Sequence, residues 1–295
     1  MPRPDTAAVI VNMHSGSTRR ALLHRLPELF RNNGIRAEMV IAPSGSHVRR
    51  FAQAAARRHP LVVAAGGDGT ISAVAAQVIA SDSILGVLPL GTYNHFARDL
   101  NIPLVVEDAV RVLAEGTPRR VDVGEVNGHT FINNSSLGLY PRLVEEREQH
   151  RRLGYRRWVA LTAALLSTFR RFGFVHVRVT AGELEYEGDT PFVFVGNNLY
   201  TLSGLRLGSR ETLAGGHLCV CLARRVSRWQ LLRMALRAWL GSMPKGPELD
   251  LLCTDEVRVE PRSRRTRVSL DGEIVRITGP LHYRVLPGAL QVVAP

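Results

Sequence analysis

The chain has 295 residues, is 45% hydrophobic and carries a formal net charge of +12, so it is long enough for two cores and positive enough to be drawn to nucleic acid, anionic lipid or phosphorylated substrates. It has no apolar run of the roughly 18 residues a membrane span needs and no N-terminal hydrophobic region, which predicts neither span nor secretory signal and a cytoplasmic protein. Lys245 is the single lysine among 38 basic residues, leaving 37 arginines; in the turn-like GSMPKGPE it fits neither a P-loop nor a protein-kinase strand lysine.

In chain order, strand-like and helix-like segments first alternate. AAVIVN (7–12) precedes a helical pattern over 17–33, RAEMVIA (36–42) precedes one over 47–58, and LVVAAG (61–66) precedes one over 70–80. SILGVLPL (83–90) and a helical pattern over 106–115 complete this part. The alternation predicts a parallel sheet covered by helices over 1–120. Pro27 predicts a kink or break in the first helix.

From about Arg120 the texture changes to short β-rich runs: RRVDVGEV, HTFINNSS, FVHVRVT, TPFVFVGN, HLCVCLA, EVRVE, RTRVSL and EIVRI. They predict a mostly antiparallel β-domain over 121–295. Two helical insertions interrupt it: 151–172, an apolar core flanked by arginines, and 229–240, with Arg233 and Arg237 on one face opposite Trp229, Leu232, Leu236 and Trp239. They read either as helices packed on the β-domain, the commoner state, or as helices lying at a membrane surface. Cys219, Cys221 and Cys253 form no CxxC pair and read as buried, unpaired small hydrophobes, with neither a disulfide framework nor a zinc site.

The chemistry gathers in four places. In AAGGDGTIS a buried strand turns sharply into a helix, and its glycines let an anion approach backbone N–H groups at the positive end of that helix. Thr70 can cap the helix or bind a phosphate oxygen. Asp68 would repel a phosphate unless a divalent cation such as Mg²⁺ bridges them; the alternative is a tight turn in which Asp68 only accepts backbone N–H bonds. The loops PLGTYNHFARDLNIP (89–103) and VNMHSG (11–16) also follow predicted strands, and ligands collect at the carboxyl ends of parallel strands. Asn12, Ser15, Thr92 and Asn94 are therefore candidate donors to a nucleotide. Finally, Asp271-Gly272 in SLDGEIVRI is a hairpin turn or, facing the phosphate loops, supplies Asp271 as metal ligand and Glu273 as general base.

Together GGDGT, PLGTYNHFAR, FINNSSLGLYP (131–141), VGNNLY (195–200) and DGE resemble the bacterial lipid kinases of the diacylglycerol kinase catalytic-domain family, relatives of sphingosine and ceramide kinases. The resemblance runs over nearly the whole chain. It implies a three-layer α/β nucleotide-binding domain, a β-sandwich-like domain, ATP between the two, and MgATP-dependent phosphoryl transfer to a lipid hydroxyl, with a diacylglycerol-like substrate favoured. By motif match, Gly66, Gly67, Gly69 and Thr70 hold phosphates, Asp68 places Mg²⁺, and Asn12, Ser15, Thr92 and Asn94 line the nucleotide site. Glu273 is the base with Asp271 beside it, making Asp68, Asp271 and Glu273 the catalytic set and Asp68 and Asp271 the metal ligands.

The chain departs from the family where Asn12-Met13 replaces asparagine-proline, Ala42-Pro43 replaces a threonine, His95 replaces the aspartate of GTxND, and AGG (214–216) replaces Asp-Asp-Gly. In some relatives those aspartates, with one matching Asp122, organise a second metal. Their joint loss predicts no ion there, with His95 a neutral hydrogen-bonding substitute or simply packed. Leu137, Tyr140, Leu161 and Leu165 are candidates to line a lipid cleft, although they read equally as core. A peripheral contact with anionic membrane is expected, no specific nucleic-acid partner is, and a homodimer is left open. The rival readings are an NAD kinase, which shares GGDGT, and a non-catalytic lipid-binding relative.

Overall fold

The computed structural model describes residues 5–13, 20–138, 174–201, 209–223 and 249–295. Ser15, Tyr140, Leu161, Leu165, Lys245 and both helical insertions lie outside them. The chain divides into two compact units, the first formed by Met1–Val123, Thr212–Ala214 and Leu286–Pro295, the second by Gly124–Glu211 and Gly215–Val285. The expected boundary at 120/121 thus lies three residues before a break inside one strand, and the chain's last segment joins the first unit.

In the first unit the order is β1 (Thr6–Asn12), α1 (Arg20–Asn32), β2 (Arg36–Ala42), α2 (Gly45–Ala55), β3 (Leu61–Gly66), α3 (Asp68–Val78), β4 (Ile84–Pro89), α4 (His95–Asp99), α5 (Val106–Glu115) and the start of β5 (Thr117–Val126). Strands β2, β1, β3 and β4 pair in that order, all parallel. Every residue of β3 and β4 is buried, the continuous apolar character that a parallel sheet covered by helices demands. Helix α1 continues through Pro27. The ring sits at the eighth of its 13 residues, so the expected break is absent.

The second unit adds β6 (His129–Phe131), β7 (Asn134–Gly138), β8 (Val175–Ala181), β9 (Leu184–Thr190), β10 (Phe192–Asn197), β11 (Leu218–Ala223), β12 (Leu249–Thr254), β13 (Glu256–Pro261), β14 (Arg265–Leu270), β15 (Glu273–Thr278) and β16 (Leu281–Ala294), whose last residues belong to the first unit. One sheet runs β12-β11-β10-β7-β14-β15. On another, the start of β16 pairs with β13, β13 with β8 and β8 with β9, all antiparallel. Residues of alternate register from both sheets, among them Leu137, Val193, Val220, Val268, Val179, Val259 and Tyr283, form one buried cluster, which makes the unit a β-sandwich. Leu137 is fully buried in that cluster, so its side chain is sandwich core rather than cleft lining.

Strands β9, β12 and β16 had no counterpart among the β-rich runs. LEYEGDT, the sequence of β9, is mostly polar because, among the described residues, it lies at the end of its sheet, paired on one side. The cysteines are a correction. Cys219 on β11 stands directly opposite Cys253 on β12, and the two are joined as a disulfide across 34 residues of sequence. Cys221 remains free. Sequence spacing carries no record of which residues face each other across a ladder.

Candidate active site

In the first unit, three loops leave the carboxyl ends of parallel neighbours β1, β3 and β4, the place where an open α/β sheet collects ligands. Gly67 caps α3 in an extended conformation, and no side chain caps that helix end. Its carbonyl accepts the amides of Thr70 and Ile71, while Asp68 and Gly69 begin the helix, where amides lack an intrahelical acceptor. A Cβ on Gly69 would meet nothing within 4 Å, so the approach to this turn is open. Thr70 is the third residue of α3 and not its cap, a correction to one of its two expected roles.

Two interactions tie the loops together. Asn12 Nδ2 donates to Thr70 Oγ1 at 2.9 Å, and Asp68 Oδ1 accepts the Phe96 amide at 3.3 Å. Gly67 and Gly91 sit so close that a Cβ built on Gly91 would collide with the Gly67 backbone and come within 2.7 Å of Asn94 Oδ1. Glycine at 91 is therefore a requirement of close approach, not of turn geometry.

The expected nucleotide donors separate in the structure. Thr92 is exposed, whereas Asn94 is 4% exposed and spends its side chain on its own loop: Oδ1 accepts the Gly91 amide and Nδ2 donates to the Gly91 carbonyl, each at 3.0 Å. Its left-handed backbone, φ 52°, suits asparagine. Neighbouring His95 is exposed and stacks on Tyr93 with ring centres 5.6 Å apart. Asp122 is buried, and its Oδ1 accepts the Gly288 amide at 2.9 Å.

The second unit gathers FINN, GNNLY and the DG turn around one loop, residues 132–134. Asp271 and Gly272 both have positive φ, 48° and 88°, the two-residue hairpin turn expected of Asp-Gly. The Asp271 carboxylate does more than turn the chain. Its Oδ2 accepts the Ile132 amide at 2.8 Å, and its Oδ1 accepts those of Asn133 and Asn134 at 2.8 and 2.9 Å. Glu273 follows at the head of β15 and is exposed.

Arg210 had no signal in the sequence, being one arginine among many. It is 5% exposed, and its guanidinium donates to the carbonyls of Ile132 and Asn197 and to Asn133 Oδ1 at 2.7, 3.1 and 2.7 Å. It also lies over the Tyr200 ring, 5.4 Å from its centre. Asn197 Nδ2 donates to Ile132 O, and Tyr200 Oη donates to Asn133 O, both at 3.0 Å. Loop 132–134 is thus held by a carboxylate on its amides and by an arginine, an asparagine and a tyrosine on its carbonyls.

The diacylglycerol kinase catalytic domain matches residues 6–126, and the YegS C-terminal NAD kinase beta sandwich-like domain matches residues 140–294. The chain belongs to the diacylglycerol kinase family of lipid kinases. It is 28% identical over 243 residues to a Bacillus subtilis protein named diacylglycerol kinase, covering 78% of this chain and 76% of that one. A Pseudomonas savastanoi pv. phaseolicola protein named probable lipid kinase YegS-like is 28% identical over 260 residues, covering 85% and 81%. The crystal structure of a diacylglycerol kinase from Bacillus anthracis str. Sterne superposes with a TM-score of 0.72 at 17% identity, covering 100% of this chain and 98% of that one, a likeness of fold. This lipid-kinase family member has, among its described residues, no helix long and apolar enough to cross a membrane.

Proposed function

We propose that this protein transfers the γ-phosphoryl group of ATP to a lipid hydroxyl, with magnesium as the required cation and a diacylglycerol-like alcohol as the favoured acceptor. The observation that carries the reading is the head of α3. An open glycine turn with helix N-terminal amides, which fits phosphate, carries a single carboxylate, which fits a cation between itself and that phosphate.

In this reading Gly66, Gly67, Gly69 and Thr70 bind phosphate oxygens, and Asn12 orients the Thr70 hydroxyl through their mutual bond. Thr92 and Ser15 contact the nucleotide. Asn94 serves that site by holding the Gly91 loop against Gly67. Asp68 is the carboxylate that would hold magnesium at this turn, and the bound ion would supply neutralisation of phosphate charge. Glu273 accepts the proton of the lipid hydroxyl, and the Asp271 turn sets its position. Little covalent help is needed from the protein, because positioning and charge neutralisation account for most of such a rate enhancement.

The test is incubation of the full chain with total lipid extract, magnesium and labelled ATP, NAD being offered in parallel, with the labelled product identified by mass spectrometry. A phosphorylated lipid that disappears with Asp68→Ala supports the reading; label in NAD, or in nothing, overturns it. The charge of +12 also supports peripheral binding to anionic membrane. Sedimentation with phosphatidylglycerol vesicles should then weaken as salt rises, and salt-independent or absent binding would refute that part.

A further inference from the structure

We infer that Cys219, Cys253 and His217 form a metal site for zinc once the cysteine pair is reduced. A ring nitrogen of His217 and the two sulfurs all lie within 4.8 Å of one another. His217 precedes Cys219 by two residues, so strand alternation puts their side chains on one face, and Cys253 stands opposite Cys219 on the adjacent strand.

The surroundings of His217 are those of a ligand. Its Nδ1 lies 2.8 Å from Gly215 O; a carbonyl only accepts, so Nδ1 is the donor there and Nε2 is the nitrogen left to ligate. Donation of the second ring N–H to a backbone carbonyl is what fixes the tautomer of metal-bound histidines. The ring is also confined, since a Cβ on Gly215 would come 2.7 Å from His217 Cε1. The turn itself is fastened by Asn198, whose Oδ1 accepts the Gly215 amide at 2.8 Å and whose amide donates to His217 O at 3.0 Å.

The cysteines are unequal in a useful way. Cys219 is 2% exposed while Cys253 is exposed, so a reductant or a cation reaches the pair from one side. A dithiol reduces the bond by giving two electrons and two protons and leaves as its own disulfide. The cation then displaces both thiol protons to solvent and takes two thiolates at about 2.3 Å and one imidazole nitrogen at about 2.0 Å, with the fourth tetrahedral position open to water. Such a geometry needs the sulfurs about 3.8 Å apart, so disulfide and metal exclude each other. Cys221, two residues along β11 and opposite Leu251 on β12, is not part of the set, whose converging atoms belong to His217, Cys219 and Cys253.

The experiment uses the full chain, reduced with a phosphine that is then removed without oxygen, titrated with Co²⁺ and then Zn²⁺. One equivalent of cobalt should give thiolate-to-cobalt charge transfer and tetrahedral d–d bands, which zinc displaces. The oxidised protein should give neither. Cys253→Ser should abolish the charge-transfer bands, Cys221→Ser should leave them unchanged, and His217→Ala should weaken binding at least about 100-fold, since losing even a ligand's outer partner costs ~10- to 100-fold. Circular dichroism checks that each variant folds, and the oxidised wild type serves as a mutation-free control. Cobalt bound equally by oxidised protein or by His217→Ala, or not bound at all by the reduced chain, would overturn the site.

Discussion

Replacing Asp271 by asparagine isolates what the carboxylate does for loop 132–134. Asparagine tolerates the left-handed backbone at this position, φ 48°, so the turn itself is not penalised. The amide keeps one carbonyl oxygen, enough for the two amides of Asn133 and Asn134 now held by Oδ1. It places an NH₂ group against the Ile132 amide that Oδ2 accepts. One charge-assisted bond is lost outright, at ~1.5–3 kcal/mol, and two become neutral. Asp271 is half-buried, and water recovers part of this, so the expected loss is about 2–3 kcal/mol of folding stability. Urea unfolding followed by circular dichroism measures it as a lower midpoint at unchanged slope. An unfolding free energy within about 0.5 kcal/mol of wild type would show that the carboxylate does not hold the loop and would return Asp271 to a purely chemical role.

Asp68→Ala and Glu273→Ala should abolish phosphoryl transfer with little change in the unfolding midpoint, because neither side chain is buried; near-normal turnover in either variant would remove that residue from its role. Arg210→Lys should cost about 2–3 kcal/mol, since one ammonium cannot replace a planar guanidinium on three acceptors over a tyrosine ring, and an unchanged midpoint would refute the loop-holding role. Burial lifts the Cys221 thiol from 9.0 to about 11, so the folded state keeps a proton that the unfolded chain releases. The associated stability is present below pH 9 and is lost as pH rises through 11, by about 2–3 kcal/mol. Cys221→Ala should flatten that slope, and an unaltered alkaline profile would contradict it.

Much of the first unit was legible because its signals are local. A covered parallel strand must be apolar throughout, so LVVAAG announced β3 to the residue; β2 was legible from the β-rich run RAEMVIA although Arg36 and Glu38 interrupt it at the end of the sheet, and Val106–Glu115 followed from its own periodicity. The second unit was legible in texture but incomplete: β9 is polar at a sheet edge, and β12 and β16 became evident only through their partners. Asn94 shows the same limit at the site. Its letter and loop position suggest a ligand donor, yet both ends of its amide turn inward to Gly91, which no spacing rule distinguishes.

By itself the sequence determined the alternating α/β half, the antiparallel half, the glycine turn with its lone carboxylate, and the Asp-Gly hairpin. Each rests on backbone preferences acting over a few residues. Only the tertiary structure decided that residues 132–134, 197–200, 210 and 271 share one hydrogen-bonded loop, and that Cys219 faces Cys253. Those pairings join positions far apart in the chain, and they are set by strand register and burial, which exist only once the sheets have formed.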